Sequence, residues 1–182
     1  VYKRQLGDYP TSEPQLQLRL PTERYYEEEG RAELTPRDFG ILMHRVFENA
    51  ATTDEIYMAI EAMTQDGVLD EKEAPRLREL VEKALADPVT AEWFGGRWQV
   101  VRNENEIILP GSGTTRRPDR VMTDGERAVV VDYKFGDRET ARHRKQIREY
   151  LRLLRQMGYT RTEGYLWYVR LGRTERVEEK ED

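Results

Sequence analysis

The order of elements read from this sequence predicts an α/β (α+β) fold: a mixed sheet flanked by helices, with a helical insert ahead of most of its strands. Three observations carry the prediction. Residues 116–134, RRPDRVMTDGERAVVVDYK, hold two apolar segments, RVM and AVVV, separated by Asp-Gly, a strong short-range hairpin signal. Apolar residues recur at helical spacing both before this stretch and after it. An aromatic run at 162–171, TEGYLWYVRL, supplies the last strand.

The bulk properties are compatible with such a fold. A chain of 182 residues is long enough for one domain with its own core. Charged residues make up 36% of it and the net charge is −5, which suits a soluble protein and means that any nucleic-acid surface must be local. The absence of cysteine excludes disulfides, zinc-cysteine sites and cysteine-held iron-sulfur clusters. With no membrane-spanning run and no signal peptide, the expected setting is the cytoplasm. The first residue is Val rather than Met, which suggests a domain excised from a longer protein.

In chain order, residues 1–34 form an N-terminal segment, with an edge strand expected at 15–20 (QLQLRL) and an acidic loop at 23–30. Residues 35–53 read as a helix: Thr35 caps it, Pro36 occupies its first turn and Asp38 completes a capping box. Phe39, Leu42, Met43, Val46, Phe47 and Ala50 line its apolar face, with His44 at the border. A histidine there can pack in a core or act as a ligand. Gly40 is poor helix chemistry, which close approach of another backbone would explain.

Residues 54–97 read as a helical insert. One helix is expected from 54 to 63. A second is opened by Asp70 with Glu73 as capping box, although Pro75 fits a first turn better. A short third helix is capped by Asp87. The core follows at 98–171. WQVVRNENEIIL predicts a strand, an irregular centre and another apolar end, leaving Glu104 and Glu106 as strand residues with a minor chance of touching metal. PGSGTT is a loop. A long helix runs from about Arg138 to Met157 and stops at Gly158; Tyr165, Trp167 and Tyr168 on the final strand cover the sheet. Residues 172–182 are a charged, frayed tail.

The chemistry concentrates in the hairpin. With Asp124 and Gly125 at the centre of the turn, Thr123 faces Glu126 and Asp119 falls opposite Val130. Asp132 then shares Asp119's face two residues further along, and Lys134 joins it while Tyr133 points away. Two carboxylates and an amine among valines require compensation, and hard oxygen ligands suit Mg²⁺ or Mn²⁺. The plainer alternative is an ion pair between Asp132 and Lys134, with Asp119 a turn residue.

Pro118-Asp119 followed thirteen residues later by Asp132-Tyr133-Lys134 resembles the PD-(D/E)xK signature, in the DYK form of RecB- and AddA-type nuclease domains. GILMH at 40–44 and QIREY at 146–150 resemble that branch's upstream histidine and downstream QxxxY motifs. The resemblance implies a restriction-endonuclease-like fold and a metal-dependent deoxyribonuclease, exonucleolytic in its usual form, attached to a UvrD-like helicase in the same polypeptide or a partner subunit that processes double-strand breaks. It implies Asp119, Asp132, His44 and the Tyr133 carbonyl as metal ligands, Lys134 as the group that places or deprotonates water, and Gln146 and Tyr150 as residues that position DNA or support the site. Some relatives carry an iron-sulfur staple, which a chain without cysteine cannot.

Between 137 and 158 there are seven Arg or Lys against three acids. Arg144 and Arg148, with Arg152 and Arg155, form one stripe. Together with Arg116, Arg117 and Arg120 they predict a phosphate-binding surface. The competing reading is a catalytically inactive nuclease-like module that binds DNA or scaffolds helicase subunits.

Overall fold

The computed structural model describes residues 36–108, 115–136 and 141–179. The segments expected at 15–20 and 23–30 lie outside these residues, as do the Thr35 cap, most of the PGSGTT loop and the start of the long helix.

Among the described residues four helices come first: α1 (Pro36–Glu48), α2 (Thr53–Gln65), α3 (Ala74–Leu85) and α4 (Pro88–Trp93). Strands β1 (Val100–Asn103), β2 (Ile107–Ile108), β3 (Thr115–Arg116), β4 (Arg120–Asp124) and β5 (Arg127–Lys134) follow. Then come α5 (Ala141–Gln156), β6 (Arg161–Tyr168), a 3-10 turn (Val169–Leu171) and β7 (Arg173–Val177). The main sheet has the order β1-β4-β5-β6-β7, antiparallel except for the parallel β5–β6 pair, while β2 and β3 form a separate two-stranded ribbon. This mixed, mostly antiparallel sheet flanked by helices is consistent with the restriction-endonuclease-like fold.

Alternation along the strands assigns the two faces. Met122, Val129, Val131 and Tyr133 join one core cluster with residues of α1 to α4, whereas Val121, Ala128 and Val130 join Ile147, Tyr150, Leu151 and Leu154 of α5 in the other. On the first face Phe47, Trp93 and Phe94 close around Trp167, with ring centroids 5.2, 5.7 and 6.0 Å away. The stretch 54–97 thus covers the sheet together with α1. Tyr165, Trp167 and Tyr168 pack in or against these cores as expected. On the second face α5 lies so close to β6 that a Cβ on Gly164 would overlap the Ile147 side chain. At Gly40 an added Cβ would meet the Phe135 side chain, its Cβ 3.4 Å away, rather than another backbone.

Local signals explain most boundaries. Thr52 and Glu55 form a reciprocal capping box on α2, and Asp87 caps α4 through the Val89 N–H at 2.8 Å. Three expectations are corrected. Helix α3 starts at Ala74, with Glu73 as its N-cap and no side-chain cap bond, because Pro75 belongs in the first turn. The end of the PGSGTT loop enters a strand, β3. The charged tail begins with β7, which pairs antiparallel with β6 after a turn at Gly172 (φ +55°), its solvent side charged and Val177 buried. Among the described residues no helix is long and apolar enough to cross a membrane.

Candidate active site

The hairpin forms, but its register is two residues from the expected one. Asp124 pairs with Arg127, and Gly125 takes φ +58° at the first of the two central positions, where a glycine-first hairpin turn requires it. Extending the ladder past Arg120 and Val131 sets Asp119 opposite Asp132 rather than Val130. A shift of two preserves every face, so Asp119, Asp132 and Lys134 still converge. Asp119 is fixed there: its Oδ2 accepts the Tyr133 N–H at 2.6 Å.

A third carboxylate joins them. On the other side of β4, Asn103 pairs with Arg120, so the next residue, Glu104, falls across from Asp119, and its N–H donates to the Asp119 carbonyl at 2.9 Å. Glu104, just past the end of β1, and Asp119, just before β4, therefore line up with Asp132 of β5. Glu104 bends the chain there with φ +50°. His44 reaches the same place from α1, its ring edge-on to Phe135 at 4.8 Å. One ligand atom each of His44, Glu104 and Asp119 lies within 4.8 Å of the others. Glu104 was given only a minor role from the sequence; its position across from Asp119 became evident only once β1 was registered against β4.

The electrostatics suit a cation. Burial and the neighbouring Asp132 charge push the Asp119 carboxyl up to about 7, against smaller opposing effects of the Tyr133 N–H, Lys134 and Arg117. Burial holds the His44 imidazole below its ordinary value despite the attraction of Asp132, which leaves it neutral and able to ligate at neutral pH. Asp132 is only 2% exposed and is paired with Lys134. A partly buried imidazole and clustered carboxylates that repel one another form a donor set into which Mg²⁺ or Mn²⁺ fits chemically.

On the α5 side, Gln146 Nε2 donates to the Tyr150 hydroxyl at 2.9 Å, and that hydroxyl donates to the Arg117 carbonyl at 3.2 Å. The pair thus braces the segment leading to Asp119. His143, one turn before Gln146, was not singled out from the sequence; Asp132 and Lys134 both act on it electrostatically, and its Nδ1 is buried without a hydrogen-bond partner.

The arginines divide. Arg117 pairs with Glu104, Arg116 with Glu149 at 2.9 Å, Arg144 with Glu175, and Arg148 donates to the Glu178 carbonyl at 3.2 Å. Arg155 pairs with Glu179 at 3.0 Å. Arg120 corrects the expected phosphate-binding surface: it is fully buried on the opposite sheet face from Asp119 and donates to main-chain carbonyls.

A family model described as the PD-(D/E)XK nuclease superfamily matches residues 15–182. No curated protein matches the chain.

Proposed function

The chain belongs to the PD-(D/E)XK nuclease superfamily, and we propose that it is a divalent-metal-dependent deoxyribonuclease of the RecB/AddA type. The observation that carries this reading is the alignment of Glu104 at the end of β1, Asp119 at the start of β4 and Asp132 on β5, with Lys134 on one side and His44 within ligand distance of Glu104 and Asp119.

In this reading His44, Asp119 and Asp132 hold Mg²⁺ or Mn²⁺ together with Glu104, and the Tyr133 carbonyl adds a ligand. When bound, the ion lowers the pKa of water and screens the scissile phosphate. The chain's own residues do the rest. Asp132 orients Lys134, which as the ammonium places the attacking water and only as the neutral amine takes its proton. Gln146 and Tyr150 hold the Arg117 carbonyl and so keep Asp119 at its station. Arg117, Arg144 and Arg148 offer charge to the DNA backbone, exchanging carboxylate or carbonyl partners for phosphates. Exonucleolytic action, association with helicase domains of the same polypeptide or a partner subunit, a role in double-strand-break repair and a cytoplasmic setting extend the reading. The QxxxY and DYK motifs support these extensions.

The experiment is degradation of single- and double-stranded DNA by the purified chain with Mg²⁺, compared with Asp132→Ala and Lys134→Ala. The wild type cleaves and both variants lose cleavage; equal cleavage by all three would rule out the assigned site.

A further inference from the structure

Directly behind the carboxylate row lies a second polar row, on the other face of the sheet. Asn103 and Arg120 face each other there across β1 and β4. Arg120 has no solvent exposure, yet its hydrogen bonds go to neutral oxygens. Nη1 donates to the Ala50 carbonyl at 2.7 Å and to Asn103 Oδ1 at 3.1 Å. Nη2 donates to the Ala51 carbonyl at 2.8 Å and the Trp93 carbonyl at 2.7 Å. Asn103 Nδ2 closes the ring by donating to the Ala50 carbonyl at 3.1 Å. The guanidinium also stacks on Phe94, 4.0 Å from the ring centroid.

A buried cation without hydrogen bonds is strongly unfavourable. Here the carbonyls it meets lie just beyond the end of α1 and at the last residue of α4, where helix dipoles leave partial negative charge. The two terminal nitrogens of the planar fork are satisfied only when these carbonyls and the Asn103 amide oxygen occupy their places together, while Nε is buried without a hydrogen-bond partner. Apolar packing between α1 and the sheet is non-directional and tolerates sliding; this network does not.

Three nodes of the network connect to groups of the site. Arg120 follows Asp119, Asn103 precedes Glu104, and Ala50 lies at the end of the helix that presents His44. Resting on the metal reading above, we infer that Arg120 and Asn103 are positioning residues: by locking the end of α1, β1 and β4 together they set the separation of His44, Glu104 and Asp119 and thereby the divalent-cation affinity of the site. Arg120 acts without touching substrate or ion. Its role is distinct from that of Arg117, which lies on the accessible side and pairs with Glu104.

The test is calorimetric titration of the full chain with Mn²⁺, with circular dichroism confirming that each variant is folded at the titration temperature. Asn103→Ala removes one acceptor and one donor and weakens Mn²⁺ binding about tenfold, and Arg120→Lys weakens it about 10- to 100-fold, the range for partners that orient metal ligands. A lowered melting temperature alone does not move this readout in the folded protein. A folded Asn103→Ala variant that binds Mn²⁺ within about twofold of wild type overturns the inference, and this variant decides should Arg120→Lys not fold. Wild-type binding that is absent, or unchanged by Asp119→Ala and His44→Ala, overturns the metal reading itself.

Discussion

The carboxylate of Asp119 accepts the main-chain N–H of Tyr133 at 2.6 Å. One acid of the site is thereby tied to the residue standing between Asp132 and Lys134 on the adjacent strand. The bond favours the ionised form of Asp119, but burial and the Asp132 charge outweigh it and raise the carboxyl to about 7. Without a cation the two acids oppose one another.

That opposition has a sign. Because Asp119 has a higher pKa folded than unfolded, its favourable contribution is fully present below about pH 4 and is lost as the pH rises through about 7. Asp119→Asn keeps an acceptor for the Tyr133 N–H and removes the charge. In metal-free buffer it is expected to gain about 1–3 kcal/mol over wild type at pH 8 relative to pH 5. Chemical denaturation at the two pH values checks this. Mn²⁺ should stabilise the wild type at pH 8 and leave the variant nearly unchanged.

Lys134→Met removes the ammonium but keeps the bulk of the side chain. DNA cleavage should fall by about 100-fold or more, while Mn²⁺ affinity is maintained because no ligand is lost. Single-turnover cleavage at saturating metal, beside a Mn²⁺ titration, separates the two. A variant that regains normal rates at high metal would assign Lys134 to the metal site instead.

Tyr150→Phe deletes the hydroxyl that links Gln146 to the Arg117 carbonyl. Loss of such a bond costs about 0.5–1.5 kcal/mol of stability, read by urea denaturation. Cleavage should weaken with it, because the segment carrying Asp119 is no longer braced. Unchanged cleavage would make Tyr150 a packing residue.

Gly164 tests the α5 layer, which packs on the site's own face of the sheet. Its missing side chain lets α5 approach β6, and a Cβ there would overlap Ile147. Gly164→Ala should cost about 1–3 kcal/mol by overpacking. Gly125→Ala, at an open position with φ +58°, should be destabilising through backbone strain alone. Melting curves of the two variants compare the mechanisms.

Much of this arrangement was legible in the sequence. The Asp-Gly pair announced the hairpin, and alternation placed Asp119, Asp132 and Lys134 on one face even though the turn is centred on Gly125 and Glu126, since a two-residue slip preserves parity. The same parity held information about Arg120: it alternates with Asp119 and Val121 and so shares the face of buried Met122. Composition alone made it look like surface charge. β7 escaped notice because an edge strand can carry charges on its exposed side. Glu104 required the pairing of β1 with β4, and pairing between distant strands is not written in any local pattern.

The proposed divalent cation binds where α1 meets β5 and the adjoining ends of β1 and β4. Anomalous diffraction from crystals soaked in Mn²⁺ tests it most directly. One strong peak is expected, bounded by the His44 imidazole and the carboxylates of Glu104, Asp119 and Asp132, with Lys134 beside it. A map with no peak there, or with manganese bound only elsewhere, would contradict it.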